Sequence, residues 1–177
     1  MHPELDRLLD PRFADGLADL DMAEVRMRRA ACQNREESVS YLRRVIQVRL
    51  DLLGTEMARR QSGEAPIATD ELIARLPEIL ADHGRAPGFG QAPRGLRLPD
   101  IQDELVALVD EIVPPGQLSE MSAIDDDELS SLVDRLEALE HEVSSTRHQL
   151  HGQIDLLQAE VTRRYRSGEA TVDSLLQ

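Results

Sequence analysis

The chain has 177 residues and a formal net charge of −14, from 34 acidic and 20 basic side chains, with two Phe, two Tyr and no Trp. That charge argues against a general DNA or RNA binder, which needs a basic surface to displace counterions, and it disfavours an anionic membrane surface. The aromatic-poor core must be built from Leu, Val, Ile, Ala and Met, which suits thin helical packing better than a β-sandwich or barrel.

The acidic surface is compatible with gripping a basic protein, such as one that itself binds DNA. The basic side chains are all Arg, with no Lys, which reads as a composition bias and carries no functional weight. Cys32 is the only cysteine, so an intramolecular disulfide or a Cys metal cluster is excluded and a reducing compartment fits. The first residues, MHPELDRLLDPRF, lack an apolar signal core, and no run of about 18 apolar residues follows. The expectation is a soluble, cytoplasmic protein.

In chain order, residues 1–16 read as a polar lead-in with Pro3, Pro11 and Gly16. Residues 17–62 read as one long helix without proline, whose apolar marks Val25, Cys32, Val39, Ile46 and Leu53 recur every seven residues, the spacing of a coiled-coil seam. Arg59 and Arg60 suit a helix C-terminus, and Gly63 can end it. Residues 63–124 form a connecting segment. The pattern predicts a short helix from Thr69, as N-cap, toward Ala81, interrupted by Pro77. A Gly/Pro-rich loop at 85–99 follows, then a second helix over Asp100 to Val113, stopped by Pro114, Pro115 and Gly116. Residues 125–167 read as a second long helix with Leu129, Leu136, Val143, Leu150 and Leu157 at the same seven-residue spacing. Its acidic start, Asp125 to Glu128, suits a helix N-terminus. Residues 168–177 are left as a tail. Strand signals are absent, so the fold class is all-α.

The two long helices superpose with an offset of 104 residues, Val25 falling on Leu129. Polar residues coincide as well as the seam: Glu36 with Glu140, Ser40 with Ser144, Arg43 with Arg147, Asp51 with Asp155, Glu56 with Glu160, and Arg59 and Arg60 with Arg163 and Arg164. On a helix, Glu36, Ser40, Arg43, Gln47 and Asp51 lie within an arc of roughly 80°. Glu140, Ser144, Arg147, His151 and Asp155 repeat those steps. A single stripe of this kind is usually a solvated coiled-coil flank. Two with matched chemistry point to a repeated site. In an antiparallel pair both stripes border one surface; in a parallel pair they part. Arg reads guanine O6 and N7 with its two-pronged donor and binds phosphate. Carboxylates accept from guanine N1 and N2, and Ser and Gln serve phosphate, sugar or base edge. The set suits a guanine-nucleotide reader without catalytic apparatus.

The pattern E-x3-S-x2-R-x3-Q-x3-D, intact from Glu36 to Asp51 and repeated from Glu140 to Asp155 with His151 in place of Gln, resembles the cyclic-di-GMP signature of the RsiG family of anti-sigma factors. The resemblance covers both long helices and says little about residues 61–124. It implies an antiparallel coiled coil that binds two molecules of cyclic-di-GMP, one per motif. It further implies that the loaded protein holds the sporulation sigma factor WhiG, of the flagellar type, away from RNA polymerase. On this reading the middle helices are the expected partner-docking elements.

Other candidates carry less. Cys32 sits at a seam position and reads as a packed thiol. His148 and His151 are three apart but have no carboxylate to complete a metal site, and the run from Asp125 to Glu128 reads as a helix start. Gly88 and Gly90 lack the preceding strand that a phosphate-cradling loop requires. No nucleophile–base–orienter set is available, nor the GGDEF-, EAL- or HD-GYP-like motifs of a cyclic-di-GMP enzyme. The competing class is a coiled-coil adaptor that binds protein only and tolerates loss of Arg43 and Arg147.

Overall fold

The computed structural model describes residues 3–63 and 101–168, with backbone alone at 101–105. The expected helix from Thr69 toward Ala81, the Gly/Pro-rich loop and the tail beyond Gly168 lie outside the described residues. Those that are described form helices and turns, with no strand among them. They comprise α1 (Pro3–Leu9), α2 (Met22–Ser62), α3 (Ile101–Ile112), α4 (Pro115–Ser119) and α5 (Asp126–Ser167), with 3-10 turns at Pro11–Ala14, Leu17–Asp19 and Met121–Ala123. Helices α2 and α5, of 41 and 42 residues, pack together as an antiparallel pair. No helix among the described residues is long and apolar enough to cross a membrane.

The chain divides into two compact units, one of residues 1–40 and 143–177, the other of residues 41–142. The first therefore holds the N-terminal part of α2 against the C-terminal part of α5, and the second holds the reverse. All ten seam residues are buried, from Val25, Cys32, Ile46 and Leu53 at 0% exposure to Val143 at 7%. Removing a Leu or Ile side chain from water contributes roughly 1.5–3 kcal/mol, so the seven-residue pattern alone accounts for the pairing of the helices.

The 104-residue repeat extends past the helices into their starts. Asp21 Oδ1 accepts from the Glu24 amide at 2.7 Å, and Asp125 Oδ1 accepts from the Glu128 amide at 2.7 Å, each satisfying one orphan donor of a first turn. This capping places the α2 start at Met22, later than the sequence pattern suggests. Residues Leu17–Asp19 form a separate 3-10 turn, matched by Met121–Ala123 before α5. Residues 3–9, which read as a lead-in, form α1 and bury Leu8 at 1% exposure.

Polar side chains in the seam tie each unit to its turns. Arg60 donates to the Met121 carbonyl and Arg164 to the Leu17 carbonyl, matching tethers 104 residues apart. Each arginine also binds the glutamate one turn earlier, Glu56 at 2.8 Å and Glu160 at 2.6 Å. Buried Arg49 donates to the Val113 carbonyl at 2.8 Å and to Asp110, closing the end of α3. Gln153 donates to the Asp10 carbonyl at 3.2 Å after α1. A cation at a helix C-terminus complements the exposed carbonyls and the dipole. Gly63 and Gly168 adopt positive φ, 71° and 77°, just past the ends of α2 and α5, where a residue without Cβ carries no strain.

Candidate helix-pair ligand site

The motif residues lie on two unbroken helices, so their spacing along each is fixed by the helical rise. In the first unit, Glu36 is the hub. Its Oε1 accepts from Ser40 Oγ at 2.6 Å and from Arg147 Nε at 3.1 Å. Arg147 Nε also donates to Ser40 Oγ at 3.1 Å. His151 Nε2 stands 3.2 Å from the same carboxylate oxygen without forming a hydrogen bond to it. Ser144 is half-buried and Asp155 exposed. In the second unit, Arg43 Nε donates to Glu140 Oε1 at 2.8 Å, and Gln47 and Asp51 are half-buried on the same helix.

The arginine of each motif thus binds the glutamate of the other. Both ion pairs are part-exposed, with Glu36 and Glu140 at 17% and 19% and Arg147 and Arg43 at 38% and 34%. These crossed pairs are absent from a reading of either helix alone, in which glutamate and arginine are seven apart and out of reach. The signal that finds them is the repeat combined with the antiparallel direction. Facing positions then have residue numbers with a constant sum, and both pairs share the same one.

Chemically, each pair brings a carboxylate acceptor and a guanidinium donor to one place on a helical face, with a hydroxyl beside the first. Guanine presents the complementary set, acceptors at O6 and N7 and donors at N1 and N2. Cys32, by contrast, is fully buried, and burial pushes its thiol up to about 11, so it is a packing residue and not a reactive one. No group of three or more His, Cys, Asp or Glu placed to hold a metal occurs among the described residues.

Fold and stripes together define an antiparallel helix-pair protein with an internal repeat. The chain belongs to the RsiG-like family, whose model matches residues 11–80 and 115–177. The two matched stretches begin at Pro11 and Pro115, equivalent positions of the repeat. This is a regulatory anti-sigma-factor family and not an enzyme family, so membership suggests an anti-sigma role with a sigma factor as partner. No curated protein matches the chain.

Proposed function

We propose that the protein is a cyclic-di-GMP-dependent anti-sigma factor. It acts in the cytoplasm, takes one cyclic-di-GMP per motif and, when loaded, holds a flagellar-type sigma factor of the WhiG class away from RNA polymerase. The observation that carries this reading is the pair of matched Glu–Arg contacts, Glu36 with Arg147 and Arg43 with Glu140, on a motif that occurs twice.

Each guanine base is read by one arginine at O6 and N7 and by one glutamate at N1 and N2. Ser40 and Ser144 serve phosphate or sugar oxygen, Gln47 and His151 add a donor or acceptor, and Asp51 and Asp155 close each stripe. His151 stands within 3.2 Å of Glu36, so an imidazole can occupy the place of glutamine and still meet the ligand-reading carboxylate. Nucleotide that favours the sigma-bound form tightens the complex by its differential affinity, and loss of nucleotide releases sigma.

Titration calorimetry with cyclic-di-GMP, on the protein alone and with a purified flagellar-type sigma factor, tests this. The reading expects about two nucleotides per chain, tighter with sigma present, and loss of binding in an Arg43→Ala, Arg147→Ala variant. No heat in either setting leaves a protein-only adaptor.

A further inference from the structure

The two units follow one plan, but their outer helical faces differ. In the second unit Tyr41, Val45, Val48 and Leu52 of α2 and Leu118 of α4 line an open groove of about 310 Å³, with Arg44 at its rim. Tyr41 is 39% exposed, unusually open for so large a side chain in a core this poor in aromatics. The positions 104 residues away from Tyr41, Val45, Val48, Leu52 and Leu118 hold Ser145, Gln149, Gly152, Leu156 and Ala14. The repeat has kept its seam, caps and tethers in both copies. It has made this face continuously apolar in one copy, whereas in the other a single exposed Leu156 stands among Ser145, Gln149 and Gly152. An apolar face that internal packing does not demand in the matching copy marks a site for something outside the unit.

The charge around the groove says what that is. Between Tyr41 and Leu50 there are three arginines and no acid, in a chain of net charge −14. Arg43 is bound to Glu140 and Arg49 to Asp110 and Val113. Arg44 is exposed, and among the described residues it makes no hydrogen bond or ion pair. At 100° per residue it lies between the motif residues Arg43 and Gln47 on one side and Tyr41 and Val48 on the other. A cavity of about 310 Å³ sits at the low end of the roughly 300–1,000 Å³ typical of small-molecule sites. That suits a few anchoring side chains of a helix rather than a second nucleotide.

We propose that this groove on α2 docks an amphipathic helix of the sigma factor, which lays an apolar ridge against Tyr41, Val45 and Val48 and sets an acidic side chain against Arg44. The proposal rests on the anti-sigma reading and deepens it. Docking here places the partner beside Arg43 and Gln47, so one partner surface meets both the groove and the edge of a loaded motif. It also makes the complex asymmetric: one sigma factor per chain, seated on one copy of the repeat.

Two variants test it, Tyr41→Ser with Val45→Gln, which installs the residues of the matching copy, and Arg44→Glu. Each is titrated with cyclic-di-GMP alone and then, nucleotide-saturated, with a purified flagellar-type sigma factor. The expected result is sigma affinity weaker by about tenfold or more in each, with nucleotide binding and helical circular dichroism unchanged. Unchanged sigma affinity in both variants overturns the docking site and leaves the anti-sigma reading standing. A lowered mass of the free variants overturns it in favour of a contact between copies of the chain. A lowered melting temperature without sigma overturns it in favour of internal packing. Failure of the unaltered protein to bind sigma at all removes the anti-sigma reading and the docking site with it.

Discussion

Arg147 Nε donates to Glu36 Oε1 at 3.1 Å, joining the second motif's arginine to the first motif's glutamate, and Arg43 repeats the relationship with Glu140 at 2.8 Å. In each unit the ion pair positions the arginine of one motif by the glutamate of the other.

Because the Glu36–Arg147 pair is part-exposed, it adds only about 0–1 kcal/mol to stability. Arg147→Ala should leave the melting temperature within a few degrees and weaken cyclic-di-GMP binding by roughly 10–100-fold, the cost of one charge-assisted hydrogen-bonded contact. Arg147→Lys should restore little, since a point charge cannot reproduce the planar fork. Parallel melting and calorimetry separate the two effects.

Arg49 is 8% exposed and holds the Val113 carbonyl and Asp110. Arg49→Met keeps the apolar stem but leaves a buried carbonyl and a carboxylate unmatched. It should cost about 1–3 kcal/mol, read as a shift in the denaturant midpoint at constant slope.

The carboxylates of Glu56 and Glu160 are each held down to about 2, from 4.5, first by the hydrogen bonds of Arg59 and Arg163 and further by those of Arg60 and Arg164, against an opposing upward push from burial. A depressed folded value means that these groups contribute stability above about 4.5, and that it is lost as pH falls toward about 2. Melting temperature should therefore decline through that acid window. In a Glu56→Gln, Glu160→Gln variant the decline should flatten, while stability at neutral pH is already reduced.

Cys32 is fully buried in the seam, with its thiol raised to about 11. The native protein should react with a thiol-specific chromogen at pH 8 far more slowly than the same protein in denaturant, the ratio tracking global or subglobal opening. Equal rates would contradict the packed seam.

Asp21 and Asp125 cap equivalent first turns at 2.7 Å. Asp21→Ala and Asp125→Ala should each cost about 1 kcal/mol, and similar penalties in chemical denaturation would show that the two copies remain energetically alike at their starts.

What could be read from the sequence divides along physical lines. The ten seam residues were legible because apolar spacing at seven leaves no choice of face, and Gly63 because a chain leaving a helix often turns through a positive φ that glycine takes without strain. The repeat of Glu36, Ser40 and Arg43 in Glu140, Ser144 and Arg147 was legible as chemistry. The crossing of the pairs required two helices at once. Short elements escaped: α1 was hidden by Pro3 and Pro11, and the 3-10 turn at Leu17–Asp19 merged into the pattern of α2. Arg49 and Gln153 drew no assignment, because a side chain that reaches a distant backbone carbonyl leaves no periodic trace. The groove beside Tyr41 was missed for a related reason. Sequence attention fell on the middle helices as docking elements, whereas the pairing of an exposed Tyr41 with Leu118 across one groove appears only in three dimensions.

The central claim is most directly tested by calorimetric titration of cyclic-di-GMP into the protein with an equimolar flagellar-type sigma factor, beside the same titration of the Arg43→Ala, Arg147→Ala variant. The account predicts saturation near two nucleotides per chain, tighter than for the protein alone, and no binding by the variant. Absence of heat in the unaltered protein, or equal binding by the variant, would contradict it.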